Sequence, residues 1–258
     1  MSASRGKVYL TGAGPGDPDL LTVRAHRLLT TADAVFHDDL VPPRILELCR
    51  PDARVVSVGK RCGSKAVTQE QINDLLIESA RAGLSVVRLK SGDPLLYARA
   101  SEELAALARA GVPCEIVPGV SAVFAAAADL QVPLTDRSSA STLILLTAHR
   151  SSAATPPPLW QGDLPSDATI AIYMPGSDYR RLQQSLLASG LLPDTPCMVV
   201  SRAGTHETLS LRTTVAALGD RDPLPAPSIL LAGWALDTRN ALPAGELASL
   251  LDALGPDA

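Results

Sequence analysis

Short runs of β-branched and aliphatic residues alternate with longer stretches of mixed polarity through the first half of the chain. Such runs are typical of buried strands, and the stretches between them have the apolar spacing of amphipathic helices. The predicted strands are residues 8–10, 34–36, 55–58, 86–89 and 115–117. The predicted helices are residues 18–31, 41–49, 69–82 and 100–110. Because strands that alternate with helices form parallel sheets, the pattern predicts an α/β fold.

A second series of the same kind begins near residue 141. Its predicted strands are residues 143–146, 170–174, 198–200, 208–211 and 229–232. Its predicted helices are residues 178–189, 213–218 and 244–253. The polar segment 133–139 separates the two series, so we predict an N-terminal α/β domain over residues 1–136 and a C-terminal one over 137–258.

Length and charge narrow the class of protein. The chain has 258 residues, of which 46% are hydrophobic, and a formal net charge of −4. This length suits two domains of ordinary size, and the hydrophobic content suffices for a packed core. An acidic chain without a basic stripe is unlike a nucleic-acid coat protein. We therefore expect no nucleic-acid partner, and any anionic ligand needs a local basic pocket.

Cysteine usage and the absence of long apolar runs favour a cytoplasmic protein. Cys49, Cys62, Cys114 and Cys197 are scattered, with no CxxC pair and no spacing typical of metal ligands. Such cysteines are typical of reduced thiols in the cytosol, and no metal site is predicted. Residues 1–5 lack the apolar segment of a signal peptide, and no run is long enough to span a membrane.

The first strand is followed by the glycine-rich sequence GAGPGDP, residues 12–18. It is not a dinucleotide fingerprint, because Asp17 stands where the third glycine of G-x-G-x-x-G belongs, and it lacks the Gly-Lys-Ser/Thr of a phosphate-binding loop. A nicotinamide- or flavin-dependent oxidoreductase is therefore disfavoured. The rigid Gly-Pro-Gly turn instead offers backbone groups to a ligand that lacks phosphate.

The tripeptide Gly-Asp-Pro occurs twice, at residues 16–18 and 92–94, each time after a predicted strand. Asp is a good N-cap residue and Pro is favoured at the first helical position. In open α/β sheets, ligands bind where such turns meet at the carboxyl edge of the strands. The two turns are either ordinary strand-to-helix connections or two walls of one ligand site.

Two further clusters of charged residues each allow two interpretations. Arg99 and Glu102 are three residues apart on a predicted helix, so they form either a surface ion pair or a grip for a substrate carboxylate. Lys60 and Arg61, with Lys65 nearby, form either a solvated edge or a basic lid over an anionic substrate.

Six segments together resemble the tetrapyrrole methylases, in order and spacing, from residue 8 to about residue 233. They are VYLTGAGPGDPDLLTVRAHRLLTTADAVFHDDLV (8–41), VGKRCGSKAVTQEQIN (58–73), VVRLKSGDP (86–94), IVPGVSA (116–122), PLTDR (133–137) and TIAIYMP (169–175). The combination of GKR with QEQIN is most similar to the branch that methylates uroporphyrinogen III twice, through precorrin-1 to precorrin-2. That product leads towards siroheme or cobalamin.

The resemblance implies two α/β domains of the class III methyltransferase type, with S-adenosylmethionine in a cleft between them, and a cytoplasmic homodimer. The implied product of the cofactor is S-adenosylhomocysteine. Mostly small or apolar residues are implied to bind it, which suits recognition through backbone groups and packing. They are Pro15, Ser91, Gly92, Asp93, Leu96, Ser121, Ala122, Met174 and Ala203.

The resemblance also implies residues for the substrate and for proton transfer. Arg99, Glu102, Arg137 and His149 are implied to bind the tetrapyrrole, whose eight carboxylates require several cations. Asp38 is implied as proton acceptor and Lys60 as donor. From the residues alone, Asp38 is equally well explained as a cap on the helix that begins near Pro42.

Several glycines of the family pattern are replaced in this chain. The replacements are Ser91, Ala98, Ala100, Ser101 and Pro175. Glycine permits backbone conformations that other residues resist, so loop shape near the ligands is expected to differ. This departure keeps two alternatives open: a related enzyme acting on a later corrin precursor, and a non-catalytic paralogue that binds the cofactor.

Overall fold

The computed structural model describes residues 6–59, 67–148 and 159–237. In chain order, the N-terminal elements are β1 (Lys7–Gly12), α1 (Val23–Leu29), β2 (Ala34–His37), α2 (Pro43–Leu46), β3 (Arg54–Ser57), α3 (Gln69–Arg81), β4 (Ser85–Lys90), α4 (Ala100–Arg109), β5 (Cys114–Val117) and α5 (Ala122–Leu130). The C-terminal elements are β6 (Thr142–Thr147), β7 (Ala168–Tyr173), α6 (Tyr179–Ala188), β8 (Pro196–Ser201), β9 (Leu209–Thr214) and β10 (Ser228–Ala232). All ten strands within the described residues match predicted ones in position.

The first sheet has the strand order β3-β2-β4-β1-β5. Its strand pairs are parallel, with Phe36 of β2 opposite Arg88 of β4 and Leu10 of β1 also opposite Arg88. Parallel neighbours require crossover connections, which the helices supply. The carboxyl ends of β2, β4, β1 and β5 therefore lie side by side on one edge.

Both faces of this sheet are buried. Val8, Phe36 and Val86 face one apolar cluster, which also contains Leu76 of α3 and Leu107 of α4. Because side chains alternate along a strand, the neighbouring strand positions point to the opposite face. There Val35, Val87 and Leu89 pack with Leu29 of α1 and Ile45 of α2. The near-continuous hydrophobic runs of the sequence follow from this burial on two sides.

Two helical segments start at residues whose side chains cap them. The Thr68 side chain accepts a hydrogen bond from the Gln71 N–H, and the Gln71 side chain accepts one from the Thr68 N–H. This capping box satisfies two otherwise unpaired donors at the start of α3. Asp17 similarly caps a 3₁₀ turn that begins at Pro18.

Two helix predictions were inaccurate, and one helix was missed. The predicted helix 18–31 is split, because the 3₁₀ turn at Pro18–Leu20 precedes α1, which starts afresh from its N-cap Thr22. The predicted helix 213–218 was wrong, since β-branched Thr213 and Thr214 end strand β9. Helix α5 was missed because its alanine-rich sequence is buried on several sides and shows little amphipathic periodicity. The predicted helix 244–253 lies outside the described residues.

The second sheet has the order β6-β7-β10-β8-β9, and β6 pairs with β7 in parallel. The chain divides into two compact units. One comprises Met1–Leu130, Val200–Ser210 and Leu224–Ile229, and the other comprises Gln131–Val199, Leu211–Pro223 and Leu230–Ala258. The α/β class with two sheets is thus confirmed, while the predicted boundary between residues 136 and 137 stays a prediction. Among the described residues, no helix combines the length and apolar character needed to cross a membrane.

Candidate functional site

The two Gly-Asp-Pro turns meet at the carboxyl edge of the first sheet. The Gly14 N–H donates to the Gly92 carbonyl at 3.3 Å, and the Gly92 N–H donates to the Gly14 carbonyl at 2.7 Å. Backbone hydrogen bonds therefore join the loop after β1 to the loop after β4 at this edge. The repeated tripeptide predicted that both loops lie on one edge of the sheet, and the parallel pairing of β1 with β4 makes them direct neighbours.

Three glycines allow the loops after β1, β4 and β5 to pack this closely. A Cβ on Gly12 would lie 2.5 Å from the Gly92 carbonyl oxygen, and a Cβ on Gly119 would lie 2.3 Å from the same oxygen. Gly92 itself has φ +67°, and a Cβ there would meet nothing closer than 4.0 Å, at Ala122 N and Ser121 Cα. The protein thus leaves open space beside Gly92, facing the start of α5.

The Asp93 carboxylate holds two loops together. Its Oδ1 accepts a hydrogen bond from the Leu95 N–H at 2.9 Å, and its Oδ2 accepts one from the Gly119 N–H at 3.1 Å. The Asp93 carbonyl also accepts from the Leu96 N–H at 3.4 Å. Asp93 is therefore a structural link between the loops that carry Ser91 and Ser121, two predicted cofactor contacts.

A third segment reaches the same edge within the first unit. A Cβ on Gly204 would lie 2.5 Å from Pro15 Cγ and 3.1 Å from Ala125 Cβ, so the segment that carries Ala203 packs against the Gly-Pro-Gly turn and α5. The Gly204 N–H donates to Asp129 Oδ2 at 2.7 Å. Sequence reasoning missed Asp129 and Gly204, and no pattern around either residue signals their contact.

The structure thus brings the predicted cofactor residues of the first unit into one region. Met174 belongs to the second unit, directly after β7, and its side chain is exposed. Its backbone has φ +52°. Among the described residues, the other non-glycine positions with positive φ are Tyr97, Arg99, Gln131 and Arg202. Strained backbone of this kind concentrates at functional sites, and four of the five lie at or beside predicted site residues.

Asp38, the predicted proton acceptor, is the first residue after β2. Its backbone N–H donates to the Leu89 carbonyl of β4 at 3.1 Å, and its Oδ1 accepts a hydrogen bond from Arg88 Nη2. It does not cap the following helix, since Pro42 occupies the N-cap position of α2 and makes no side-chain capping bond. The interpretation of Asp38 as a helix cap was therefore wrong.

Arg88 belongs to a buried charge cluster that sequence reasoning did not single out. Its Nε donates to Glu103 Oε1 at 2.9 Å, and Lys90 Nζ donates to Glu103 Oε2 at 2.9 Å. The exposed fractions of these side chains are 3% for Arg88, 2% for Lys90 and 0% for Glu103. Burial lowers the pKa of Lys90; neighbouring Arg88 lowers it further, while Glu103 and Asp38 oppose the shift.

Arg99 and Glu102 form a two-pronged ion pair. Arg99 Nε and Nη2 lie 2.7 Å from the two carboxylate oxygens of Glu102. The hydrogen bond to Glu102 raises the pKa of Arg99. Arg99 is 50% exposed, so solvent screens the pair and its contribution to stability is small. The pair keeps the accessible Arg99 guanidinium in one orientation at the start of α4.

The remaining substrate and proton-transfer residues are not gathered by the described structure. Arg137 is exposed in a turn in which Asp136 Oδ1 accepts hydrogen bonds from the backbone N–H groups of Ser138 and Ser139, at 2.9 and 3.0 Å. Those residues lower the pKa of Asp136 to about 2. Lys60 and His149, with Arg61 and Lys65, lie outside the described residues.

The geometry is that of a ligand site at a sheet edge, and comparison with known proteins decides its family. The profile of the family Tetrapyrrole (Corrin/Porphyrin) Methylases matches residues 7–219. The chain belongs to the tetrapyrrole methylases. Its membership accounts for the glycine-rich loops at the carboxyl edge of the first sheet, which the sequence resemblance had singled out.

Particular tetrapyrrole methylases are similar over most of this chain. A Uroporphyrinogen-III C-methyltransferase of Paracoccus denitrificans (strain Pd 1222) is 42% identical over 90% of this chain and 82% of its own length. Siroheme synthase 2 of Halorhodospira halophila (strain DSM 244 / SL1) is 43% identical over 89% of this chain, which spans 47% of that protein. A crystal structure of Uroporphyrin-III C-methyl transferase from Thermus thermophilus, complexed with S-adenyl homocysteine, matches with a TM-score of 0.75 at 34% identity, covering 90% and 99% of the two chains.

The replaced glycines of this tetrapyrrole methylase do not fall on strained backbone. The residues with positive φ do not include Ser91, Ala98, Ala100, Ser101 or Pro175. At these five positions a side chain is accommodated without left-handed backbone. The strain lies instead at neighbouring Tyr97, Arg99 and Met174.

Proposed function

We propose that the chain transfers methyl groups from S-adenosylmethionine to two ring carbons of uroporphyrinogen III, forming precorrin-1 and then precorrin-2. The observation that carries the proposal is the Asp38 carboxylate, which buried Arg88 of β4 holds by a hydrogen bond. The loop that follows β4 contains the open space at Gly92. A proton acceptor and a cradle of backbone groups on adjacent strands suit methyl transfer to carbon. The similarity to Uroporphyrinogen-III C-methyltransferase supports this choice of acceptor.

The residues at the edge fit S-adenosylmethionine. The space beside Gly92 admits a ligand against backbone, as Gly12 and Gly119 keep the loops in close contact and Asp93 fixes their spacing. A weakly polar cradle of this kind suits the adenosine and methionine groups. The bound cofactor supplies an activated methyl group on a sulfonium. The residues proposed to hold it are Pro15, Ser91, Gly92, Asp93, Leu96, Ser121, Ala122, Met174 and Ala203.

The tetrapyrrole is proposed to bind through its carboxylates. Arg99, kept in one orientation by Glu102, offers a guanidinium for bidentate contact with a carboxylate. Arg137 and His149 are proposed as further contacts. With a net charge of −4, the chain must concentrate positive charge locally to attract such a substrate.

Protein groups then align the reactants and handle a proton. The nucleophilic pyrrole carbon attacks the methyl group, and alignment supplies much of the rate because the donor is already activated. Asp38 is proposed to accept the proton that the ring system loses, at Oδ2, since Arg88 engages Oδ1. Lys60 is proposed as proton donor. The protein is proposed to act as a cytoplasmic homodimer that feeds siroheme or cobalamin synthesis.

A methyl-transfer assay tests the function. Purified protein is mixed with S-adenosylmethionine and uroporphyrinogen III generated in situ without oxygen, and products are followed by mass, beside an Asp38→Asn variant. Two added methyl groups are expected, formed much more slowly by the variant. Methylation of a later corrin precursor alone would move the chain to another branch of the family. Tight binding of S-adenosylhomocysteine with no methylation of either substrate would identify a non-catalytic paralogue.

A further inference from the structure

Arg88 connects the buried core of the first sheet to Asp38 of the proposed site. It lies on β4 with its guanidinium on the face that packs against α3 and α4, as does its i−2 neighbour Val86. Phe36 of β2 is opposite Arg88 in register and faces the same cluster, so Asp38, two residues beyond Phe36, follows on that face. The register of two parallel strands therefore brings an almost fully buried guanidinium to a half-buried carboxylate.

The guanidinium is fixed by more than one acceptor. Nε donates to Glu103 Oε1 at 2.9 Å, while Nη1 donates to the Phe36 carbonyl at 3.3 Å and the Leu89 carbonyl at 3.2 Å. A planar group with three anchored N–H bonds has no rotational freedom left. Its remaining engaged nitrogen, Nη2, points at Asp38 Oδ1.

Glu103 anchors the cluster from α4. Its two oxygens accept from Arg88 and Lys90, and Gln69 Nε2 of α3 lies 3.4 Å from Oε1. Glu103 is fully buried, so it requires these partners. The charges of Arg88 and Lys90 exceed the charge of Glu103 by one, and Asp38 supplies the second carboxylate. The cluster therefore balances its charge only through a residue of the proposed site.

We propose that Arg88, anchored by Glu103, is a positioning residue that orients Asp38 and presents Oδ2 as the proton-accepting atom. This proposal rests on the function assigned to Asp38 above. A buried ion pair is costly to desolvate and contributes little net stability. The ion pair between Arg88 and Asp38 is instead explained by its effect on the orientation of Asp38, because a small misplacement of a reacting group greatly lowers the reaction rate.

A double-mutant cycle on turnover distinguishes positioning from a structural role. Arg88→Lys keeps the charge but cannot make the fixed set of bonds, so kcat for methylation is expected to fall roughly 10- to 100-fold. KM for uroporphyrinogen III and the Kd for S-adenosylhomocysteine should each change less than about threefold. In an Asp38→Asn background the same substitution should lower kcat by less than about twofold, because its effect acts through Asp38.

Two further variants complete the design. Lys90→Gln removes the other buried cation of the strand without touching a bond to Asp38, so it is expected to lower the melting temperature while keeping kcat within about threefold of the wild type. Glu103→Gln releases one anchor of Arg88 and should lower kcat about 3- to 10-fold, again only when Asp38 is present. This variant carries the test if Arg88→Lys does not fold.

The possible outcomes distinguish a failure of the positioning role of Arg88 from a failure of the proposed methyltransferase function. Losses from Arg88→Lys and Asp38→Asn that multiply in the double variant would overturn the positioning role while leaving the methyltransferase function standing. An equal fall in kcat for Lys90→Gln would also overturn it, since net charge rather than the Arg88 contact would then be responsible. A wild-type chain that methylates no uroporphyrinogen III would remove the function and, with it, this inference.

Discussion

Asp93 joins two loops by accepting the Gly119 N–H on Oδ2 at 3.1 Å, while its other oxygen accepts the Leu95 N–H at 2.9 Å. The carboxylate of Asp17, its counterpart in the first Gly-Asp-Pro turn, accepts the Asp19 N–H of its own turn at 3.0 Å. The two copies of one tripeptide thus have different structural roles. One caps a short helix, and the other ties together the edge at which the cofactor is proposed to bind.

Replacing Asp93 should therefore weaken cofactor binding. In Asp93→Ala, the loops after β4 and β5 lose their link, and the Kd for S-adenosylhomocysteine should rise about tenfold, equivalent to ~1.4 kcal/mol. Isothermal titration calorimetry measures this change. Asp17→Ala is the matched control and should alter the Kd less than about twofold. Equal effects of the two substitutions would show that the Gly119 contact is not responsible.

The close packing of glycines predicts a large loss of stability on adding one methyl group. In Gly119→Ala the new Cβ would lie 2.3 Å from the Gly92 carbonyl oxygen, so backbone must move. We expect the free energy of unfolding to fall by about 3 kcal/mol or more, measured by urea denaturation. Gly111→Ala, with φ +66° and nothing within 4 Å, should cost only about 1–2 kcal/mol from backbone strain.

Removal of the Arg99 guanidinium is expected to lower the affinity for the substrate. Arg99→Ala removes a bidentate partner for a carboxylate, so KM for uroporphyrinogen III should rise roughly tenfold or more, with a smaller change in kcat. Arg180→Ala is the control, since Arg180 pairs with Asp220 at 3.6 Å on the exposed surface of the other unit. A KM that rises equally in both variants would point to overall charge and not to a specific contact.

The turn at Asp136 predicts a pH-dependent contribution to stability. Hydrogen bonds from Ser138 and Ser139 lower the pKa of Asp136 from 3.8 to about 2. A carboxyl group whose pKa is lower in the folded state stabilises the fold above its unfolded pKa, and this contribution is lost as pH falls through the folded pKa. The difference in melting temperature between wild type and Asp136→Asn should be constant near neutral pH and shrink as pH falls from 3.8 towards 2. A difference that does not change with pH over this range would contradict the assignment.

Much of the fold follows from local signals. Every described strand occurs where a run of β-branched and aliphatic residues predicted one, and α3 occurs where residues 69–82 predicted a helix. The failures occur where local signals were weak or contradictory. Alanine-rich α5 has little periodicity because it is buried on several sides, and the stretch that was predicted as the helix 213–218 begins inside strand β9.

The sequence by itself determined the alternation of strands and helices, the turns at both Gly-Asp-Pro copies and the family motifs, because these depend on residues close together in the chain. Only the tertiary structure decided which distant groups meet. Arg88 and Asp38 are 50 residues apart and pair because the parallel register places β2 beside β4. Glu103 is buried beside Arg88 and Lys90 because α4 packs on the same face of that sheet. Neighbouring parallel strands are joined by long crossover connections, so the residues that meet are far apart in the chain and only the folded protein brings them together.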